Sequence, residues 1–493
     1  MSKAATIAAA PHERNAMSDA ELAFASATEQ LRRLRTGALT ARALLEIYLD
    51  RVDRLNGAYN LVVAEDRERA RAAAEEIDRR RAEGSPLGPL AGLPITIKDS
   101  FEVTGMPATC GLEQLRDHRP REDADAVALL RDAGANIFGK TNLPAGASDW
   151  QSFNAVYGLS RNPWNPARTV GGSSGGAAGA VAAGFTSFEL GSDIGGSIRI
   201  PSHFCGVFGH KPTYGLVPLR GHIPPPPGML SQPELGVAGP IARSAEDLAL
   251  LLPLLAGRDL APARHGRLRD FRVGIWMGDG AYRLDGAYRR AIEACVEDLQ
   301  RAGASISPVS LPVDPQQSYE TYLQVLFAIV GAPAPDEAVA FEKLAGEDDT
   351  RIAAKLARYM RTSLGEWFQL AEVREHLFQA WRGFFREYDL LLCPAVPVVA
   401  FEHMAQGSGV HSDQLFRRVS IDGEPAPYLD FTWQGLALVA NLPATVMPTS
   451  RFVEGLPAGL QIIGPHAEDL TPIRFAGLAA DAIGGFAPPP AFR

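Results

Sequence analysis

Apolar residues after Thr40 recur at helical spacing. Leu44, Leu45, Tyr48, Leu49, Val52 and Leu55 share one face of a 3.6-residue period, and Asn56-Gly57 reads as its stop. From about 65 to 82, alanines occupy one face and charges the other, and Gly84 closes the pattern. The period then changes. Leu93 to Ile97 reads as a short buried strand ending at Lys98, Asp125 to Arg131 as a helix, and Ala135 to Phe138 as a strand. Gly176 to Gly184, "GAAGAVAAG", predicts a helix of small residues packed close to its neighbours, and Thr186 to Leu190 another strand. The segment 288–302 is an amphipathic helix and 315–385 is mostly helical, while "YDLLLCPAVPVV" and "PAGLQIIG" read as late strands returning to the sheet. Alternation over roughly residues 90–250 predicts an α/β layered core. With no internal repeat and no long linker, one domain is expected over 18–493, carrying a helical insertion at about 315–385, behind a mobile tail at 1–17.

Composition narrows the classes of function. The balance is acidic, with 48 Lys+Arg against 57 Asp+Glu, and the run Arg79-Arg80-Arg81 sits near Glu75 and Glu76 on a helical face. That is a solvated face rather than a nucleic-acid patch. The four cysteines, Cys110, Cys205, Cys295 and Cys393, are scattered without a C-x-x-C pair, which argues against a disulfide scaffold or zinc ribbon and fits a reducing cytosol. No run of 18 apolar residues predicts a membrane span, and the N-terminal stretch is too weakly apolar for a signal peptide. A cytoplasmic protein is expected.

Two short motifs match known patterns for the wrong reasons. "GANIFGKT", Gly134 to Thr141, satisfies G-x-x-x-x-G-K-[ST], yet its middle residues are strand-like and Asn142-Leu143-Pro144 begins no phosphate-capping helix. "GGSSG", Gly171 to Gly175, satisfies G-x-S-x-G, with His403, His411 and His466 downstream as partners for an esterase whose nucleophile would be Ser173. A nucleophile elbow should follow a strand, whereas "RNPWNPART" before it is a proline-broken loop.

A second Gly/Ser cluster, "GSDIGGSIRIP", spans Gly191 to Pro201. Gly195-Gly196 before Ser197 let backbone N–H groups converge beside a hydroxyl, as an oxyanion hole requires. Alone this is a Gly-rich turn. Together with Lys98 at the end of a buried strand and Ser173 in the first cluster, it becomes a constellation.

The blocks "GLPITIKD", "FGKTN", "RNPWNP", "GGSSGGAAGAVAAG", "GSDIGGSIRIPSHFCGVFGHKPTYG" and "GLPAGLQIIGP" give the chain a close resemblance to the amidase signature family. The resemblance implies a large mixed β-sheet covered by helices on both faces. It implies a triad of Lys98, a cis-bonded Ser173 and the nucleophile Ser197, with Ile194, Gly195 and Gly196 around the oxyanion. Asp99, Ser174, Asp193 and Arg199 fall at supporting positions, and no metal or cofactor is called for. Gly172, lacking a side chain, would crowd the cis bond least. "GHKPTYG" departs from the family in carrying His210, and "AGASDWQSFNAVYG" departs after "TNLP"; Trp150 and Phe153 in that stretch are either acyl-pocket wall or ordinary core.

The chemistry follows from the residue types. A serine hydroxyl needs a base, and a lysine serves near pH 7 only if its ordinary pKa of about 10.4 falls by roughly 3 units, which burial can do. The expected activity is amide hydrolysis on a small neutral or hydrophobic substrate, with anilides, esters and carbamates (urethanes) open to the same acyl-enzyme. The alternative is the glutamine-amidohydrolysing subunit of a tRNA-dependent amidotransferase. The expected partner is the small-molecule amide or carbamate alone, without nucleic acid or membrane, and a homodimer is left open. The proline run "GHIPPPPGML" is equally a rim of the entrance or a surface loop, and 315–385 and 405–412 are where substrate choice would be set.

Overall fold

The computed structural model describes residues 17–280, 282–346, 352–404, 417–430 and 433–493. The expected tail up to 16, His411 and the stretch 405–412 lie outside these residues. A single sheet of 11 strands runs through the molecule. Across it the order is Val62–Glu65, Asn136–Thr141, Pro94–Lys98, Glu189–Asp193, Val237–Ala242, Phe208–Lys211, Ala444–Val453, Leu456–Ile463, Leu390–Cys393, Arg272–Ile275 and Ser305–Pro308. The sheet is mixed. Pro94–Lys98 runs parallel to both neighbours, while Glu189–Asp193 runs antiparallel to Val237–Ala242.

Successive strand residues point to opposite faces, so the core divides in two. Ile241 packs with the small-residue helix Gly175–Ala183, whereas its neighbour Ala242 packs with the helix Ala245–Ala256. Helices therefore cover both faces, and the fold is α/β as expected. All five residues of Pro94–Lys98 are buried, which is why that strand reads as continuous rather than alternating. The expected helical stretch holds four helices, Pro315–Gly331, Pro335–Ala345, Ile352–Met360 and Leu364–Glu387.

Three boundaries differ from expectation, each for a local reason. The first long helix, Ala41–Tyr59, passes through Asn56-Gly57 and stops at Asn60 with φ 54°. Asn56 acts from inside the helix, its Oδ1 accepting from the N–H groups of Leu61 and Val62 at 2.8 and 3.0 Å. The strand expected at Thr186–Leu190 is Glu189–Asp193, because Thr186 first links to its neighbour by side chain, accepting from the Thr96 N–H at 2.9 Å. The strand expected at Ala135–Phe138 extends as Asn136–Thr141, so the supposed phosphate loop is buried sheet.

Candidate active site

Lys98 is the last residue of its strand and is fully buried. Its Nζ lies 2.7 Å from Ser173 Oγ and 2.9 Å from Ser192 Oγ. Ser173 sits in the irregular segment just before the helix Gly175–Ala183, behind a cis Gly172–Ser173 bond. Gly172 is required there: a Cβ on it would stand 2.4 Å from the Asp149 carbonyl oxygen. Ser197 lies between the strand Glu189–Asp193 and the helix Arg199–Cys205. The Ser174 N–H donates to the Ser197 carbonyl at 3.0 Å and joins the two Gly/Ser segments. Exposure is graded along the three side chains, 0% at Lys98, 1% at Ser173 and 5% at Ser197, so the last is the one most open to an incoming molecule.

Burial drives the Lys98 pKa down to about 7, against the pull of Cys110, Asp193 and Glu189. None of these is a dedicated counterion. Burial raises the Cys110 thiol well above its ordinary range and the Glu189 carboxyl to about 7, which favours their neutral forms. Burial would raise Asp193 as well, but Arg199 overrides it and holds the carboxylate below its usual range.

Asp193 and Arg199 build the loop around Ser197. The Asp193 carboxylate accepts from the N–H groups of Gly196 at 2.8 Å and Ile198 at 3.1 Å, and from the Arg199 guanidinium at 3.0 and 3.1 Å. The Gly196 N–H, one of the expected oxyanion donors, is thus engaged by Asp193. The N–H groups of Ile194, Gly195 and Ser197 meet no acceptor among the described residues. Gly196 still needs to be glycine, with φ +94° and the Gln434 side chain 2.3 Å from where a Cβ would stand. Ser174 Oγ donates to the Ser192 carbonyl at 3.2 Å, linking the two Gly/Ser segments a second time.

The remaining expected residues separate. Asp99 turns away from the hydroxyls, accepting from Thr109 N–H and Oγ1 at 3.1 and 2.5 Å. Trp150 Nε1 donates to the Gly195 carbonyl at 2.8 Å and its ring lies 5.0 Å from that of Tyr428, so it flanks the loop that carries Ser197. Phe153 pairs with Leu159 in a two-strand hairpin, and nothing places its ring at the site. His210 is structural, held between Thr445 Oγ1 at 2.9 Å and Asp469 Oδ1 at 3.2 Å.

Sequence reasoning missed Ser192 and His222. Ser192 precedes Asp193 on the strand, and its Oγ touches both Lys98 Nζ and His222 Nε2, the latter at 2.8 Å. The proline run reaches the site through that histidine, while its tip, Met229 and Leu230, is exposed. Tyr322, from the helical insertion, was missed too: its hydroxyl would lie 3.1 Å from a Cβ on Gly195. Among the described residues no group of His, Cys, Asp and Glu could hold a metal ion, and no helix is long and apolar enough to cross a membrane.

Comparisons with known proteins place the chain in a family. The profile of the family described as Amidase matches residues 43–471. The glutamyl-tRNA(Gln) amidotransferase A-subunit of Acidobacterium capsulatum is 33% identical over 93% of this chain and 99% of its own. Its counterpart from Anaeromyxobacter is 32% identical over 92% and 95%. Among solved structures, an amidase superposes with a TM-score of 0.77 at 31% identity, covering 93% of this chain and 100% of that one. A bacterial aryl acylamidase of the amidase signature enzymes superposes at 0.77 with 25% identity, covering 94% and 96%.

Proposed function

The chain belongs to the amidase signature family of amide-hydrolysing enzymes, and on that premise we propose that it cleaves carboxylic amides through an acyl-enzyme on Ser197. The observation that carries this reading is the buried Lys98 amine, without a dedicated counterion and 2.7 Å from Ser173 Oγ. A lysine with a pKa near 7 is substantially neutral at neutral pH and offers a lone pair. Ser197 Oγ attacks the carbonyl carbon; its proton passes to Ser173 Oγ as the Ser173 proton passes to Lys98 Nζ. The N–H groups of Ile194, Gly195 and Ser197 stabilise the oxyanion. The C–N bond then breaks as the relay reverses and protonates the departing amine. Water enters, gives a proton to the same relay, and releases the carboxylic acid and free Ser197.

Small neutral or hydrophobic acyl groups suit the surroundings of the loop. Trp150 and Tyr428 form an aromatic flank. The charged side chains nearby are paired with each other, Asp193 with Arg199 and Asp149 with Arg417. Anilides, esters and carbamates fall within the same acyl-enzyme chemistry.

The second reading is the glutamine-cleaving subunit of a tRNA-dependent amidotransferase. The names and near-complete coverage of the curated relatives favour it. Free glutamine carries an ammonium and a carboxylate, and the pairing of the nearby charges leaves no evident partner for either among the described residues. The test has two parts. Purified chain, sized alone by gel filtration, is screened over glutamine, neutral amides, anilides, esters and carbamates with Ser197→Ala as the blank, and a fluorophosphonate adduct is mapped by mass spectrometry. Turnover of neutral amides by the chain alone and an adduct on Ser197 are expected. Activity confined to glutamine and dependent on added subunits selects the second reading, and an adduct on Ser173 removes the relay.

A further inference from the structure

His222 stands in the proline run, yet it is locked to the chain that leaves Lys98. The Glu102 N–H donates to Gly221 O at 2.8 Å and the Ile223 N–H to Ser100 O at 2.7 Å. The imidazole lies edge-on to the Phe101 ring, centroids 4.8 Å apart. Its two nitrogens have unlike partners. Nδ1 lies 3.0 Å from the Pro224 carbonyl, which can only accept, so Nδ1 carries the hydrogen. Loss of water around the ring, and then Lys98, hold its pKa down to about 3, so the ring is neutral. Nε2 is therefore a bare acceptor, 2.8 Å from Ser192 Oγ.

This ordering propagates. Ser192 must give its one hydrogen to Nε2, so towards Lys98 it offers only a lone pair. Lys98 answers with an N–H at 2.9 Å. With that hydrogen fixed, the amine lone pair turns to its other polar neighbour, Ser173 Oγ at 2.7 Å. We propose that His222 is a positioning residue which, through Ser192, aims the Lys98 lone pair at the relay serine. The proposal rests on the reading of Lys98 as the base for Ser197. The groups facing Lys98 from the elements around it are Cys110, Glu189, Asp193 and His222 itself, and the charged group facing His222 is Lys98.

The test follows the rate at which a fluorophosphonate probe labels Ser197 against pH, using the full chain. For the native protein the rate should rise with a midpoint near 7, as Lys98 loses its proton. Ser192→Ala and His222→Ala should each slow labelling at pH 7 by about tenfold. Each should also move the midpoint up by about one unit, because water admitted beside Lys98 restores the ammonium. His222→Gln, with an oxygen able to accept from Ser192, should keep the native midpoint. The double Ser192→Ala/His222→Ala variant should be no slower than the slower single, since both cut one chain. A His222→Ala protein with the native midpoint overturns the proposal whatever its rate, and so does a His222→Gln protein slowed and shifted as far as His222→Ala, because a merely space-filling role would not depend on an acceptor for Ser192. If His222→Ala fails to fold, Ser192→Ala decides by the same criterion. A native chain labelled elsewhere than at Ser197 fails the acyl-enzyme reading first, so the two failures are distinguishable.

Discussion

Two buried lysines on adjacent strands of one sheet, Lys98 and Lys140, face different surroundings. Both are fully buried, and burial lowers the pKa of each. Ile97, not Lys98, pairs with Lys140, so the two lysines point to opposite faces. Lys140 Nζ meets the Phe101 carbonyl at 2.6 Å, the Pro107 carbonyl at 3.0 Å and the Asp99 carboxylate at 3.7 Å. The two carbonyls only accept, so both of these close contacts use an N–H and neither takes up the lone pair. Lys98 meets two hydroxyls, and one of them, Ser173, is free to donate to it. Burial alone does not make a base; a buried amine becomes one where its neighbours can hand it a proton.

Activity should split along that line. Ser197→Ala should show the largest loss, about 10⁵ in kcat, and Lys98→Met should follow at about 10³–10⁴ at pH 7. Lys140→Met should stay within about threefold of native in kcat, measured on the fraction that remains folded. Equal losses at the two lysines would erase the distinction drawn between them. Ser173→Ala should fall between, at about 10²–10³, because a water in the vacated space can carry the proton. A steady-state assay on the best substrate of the screen measures all four, and a Ser173→Ala enzyme of native kcat would take Ser173 out of the relay.

Stability should split the other way. Lys140→Met strips the donor from two buried carbonyls, a change worth about 3 kcal/mol. Urea unfolding at pH 7 should show that loss, and an unchanged midpoint would mean that Lys140 is not the tie its contacts suggest.

Sequence alone carried the chemistry further than it carried the contacts. Lys98, Ser173 and Ser197 could be singled out because a lysine closing an apolar strand is costly to bury and Gly-rich runs around hydroxyls are costly to order, while their roles as a triad came from the resemblance to the amidase signature family. The chain "GANIFGKT" shows the limit: Lys140 matches a phosphate-loop motif, and only its strand pairing gives it to the sheet. Ser192 was invisible because a serine next to Asp193 has no pattern of its own. His222 was hidden because a proline run announces a loop, not the segment just after Lys98 that the loop is pinned against. The engagement of the Gly196 N–H by Asp193 lies in how the loop folds back on a carboxylate, which spacing does not encode. The strand starts at Glu189 and Asn136, shifted from Thr186 and Ala135, arise because local propensity marks a strand's existence better than its ends.

The pH dependence of stability is the most direct test of the neutral amine. Lys98 has an ordinary pKa near 10.4 in the unfolded chain and about 7 when folded. Between those values the unfolded chain binds a proton that the folded one does not, so unfolding becomes easier as pH falls through this window. Below about 7 both states are protonated and the penalty is constant; above about 10.4 both are neutral and it vanishes. Lys98→Met removes the titration and keeps most of the volume. Other groups titrate in the same range, Lys211 among them with a pKa also near 7, so the quantity to follow is the difference between variant and native. In urea titrations from pH 10 down to pH 6, the Lys98→Met protein should gain stability relative to native as pH falls, and the gain should level off near 7. A difference that stays flat from pH 10 to 7 would mean that Lys98 keeps its ordinary pKa in the fold, and that it resembles a structural lysine rather than a base.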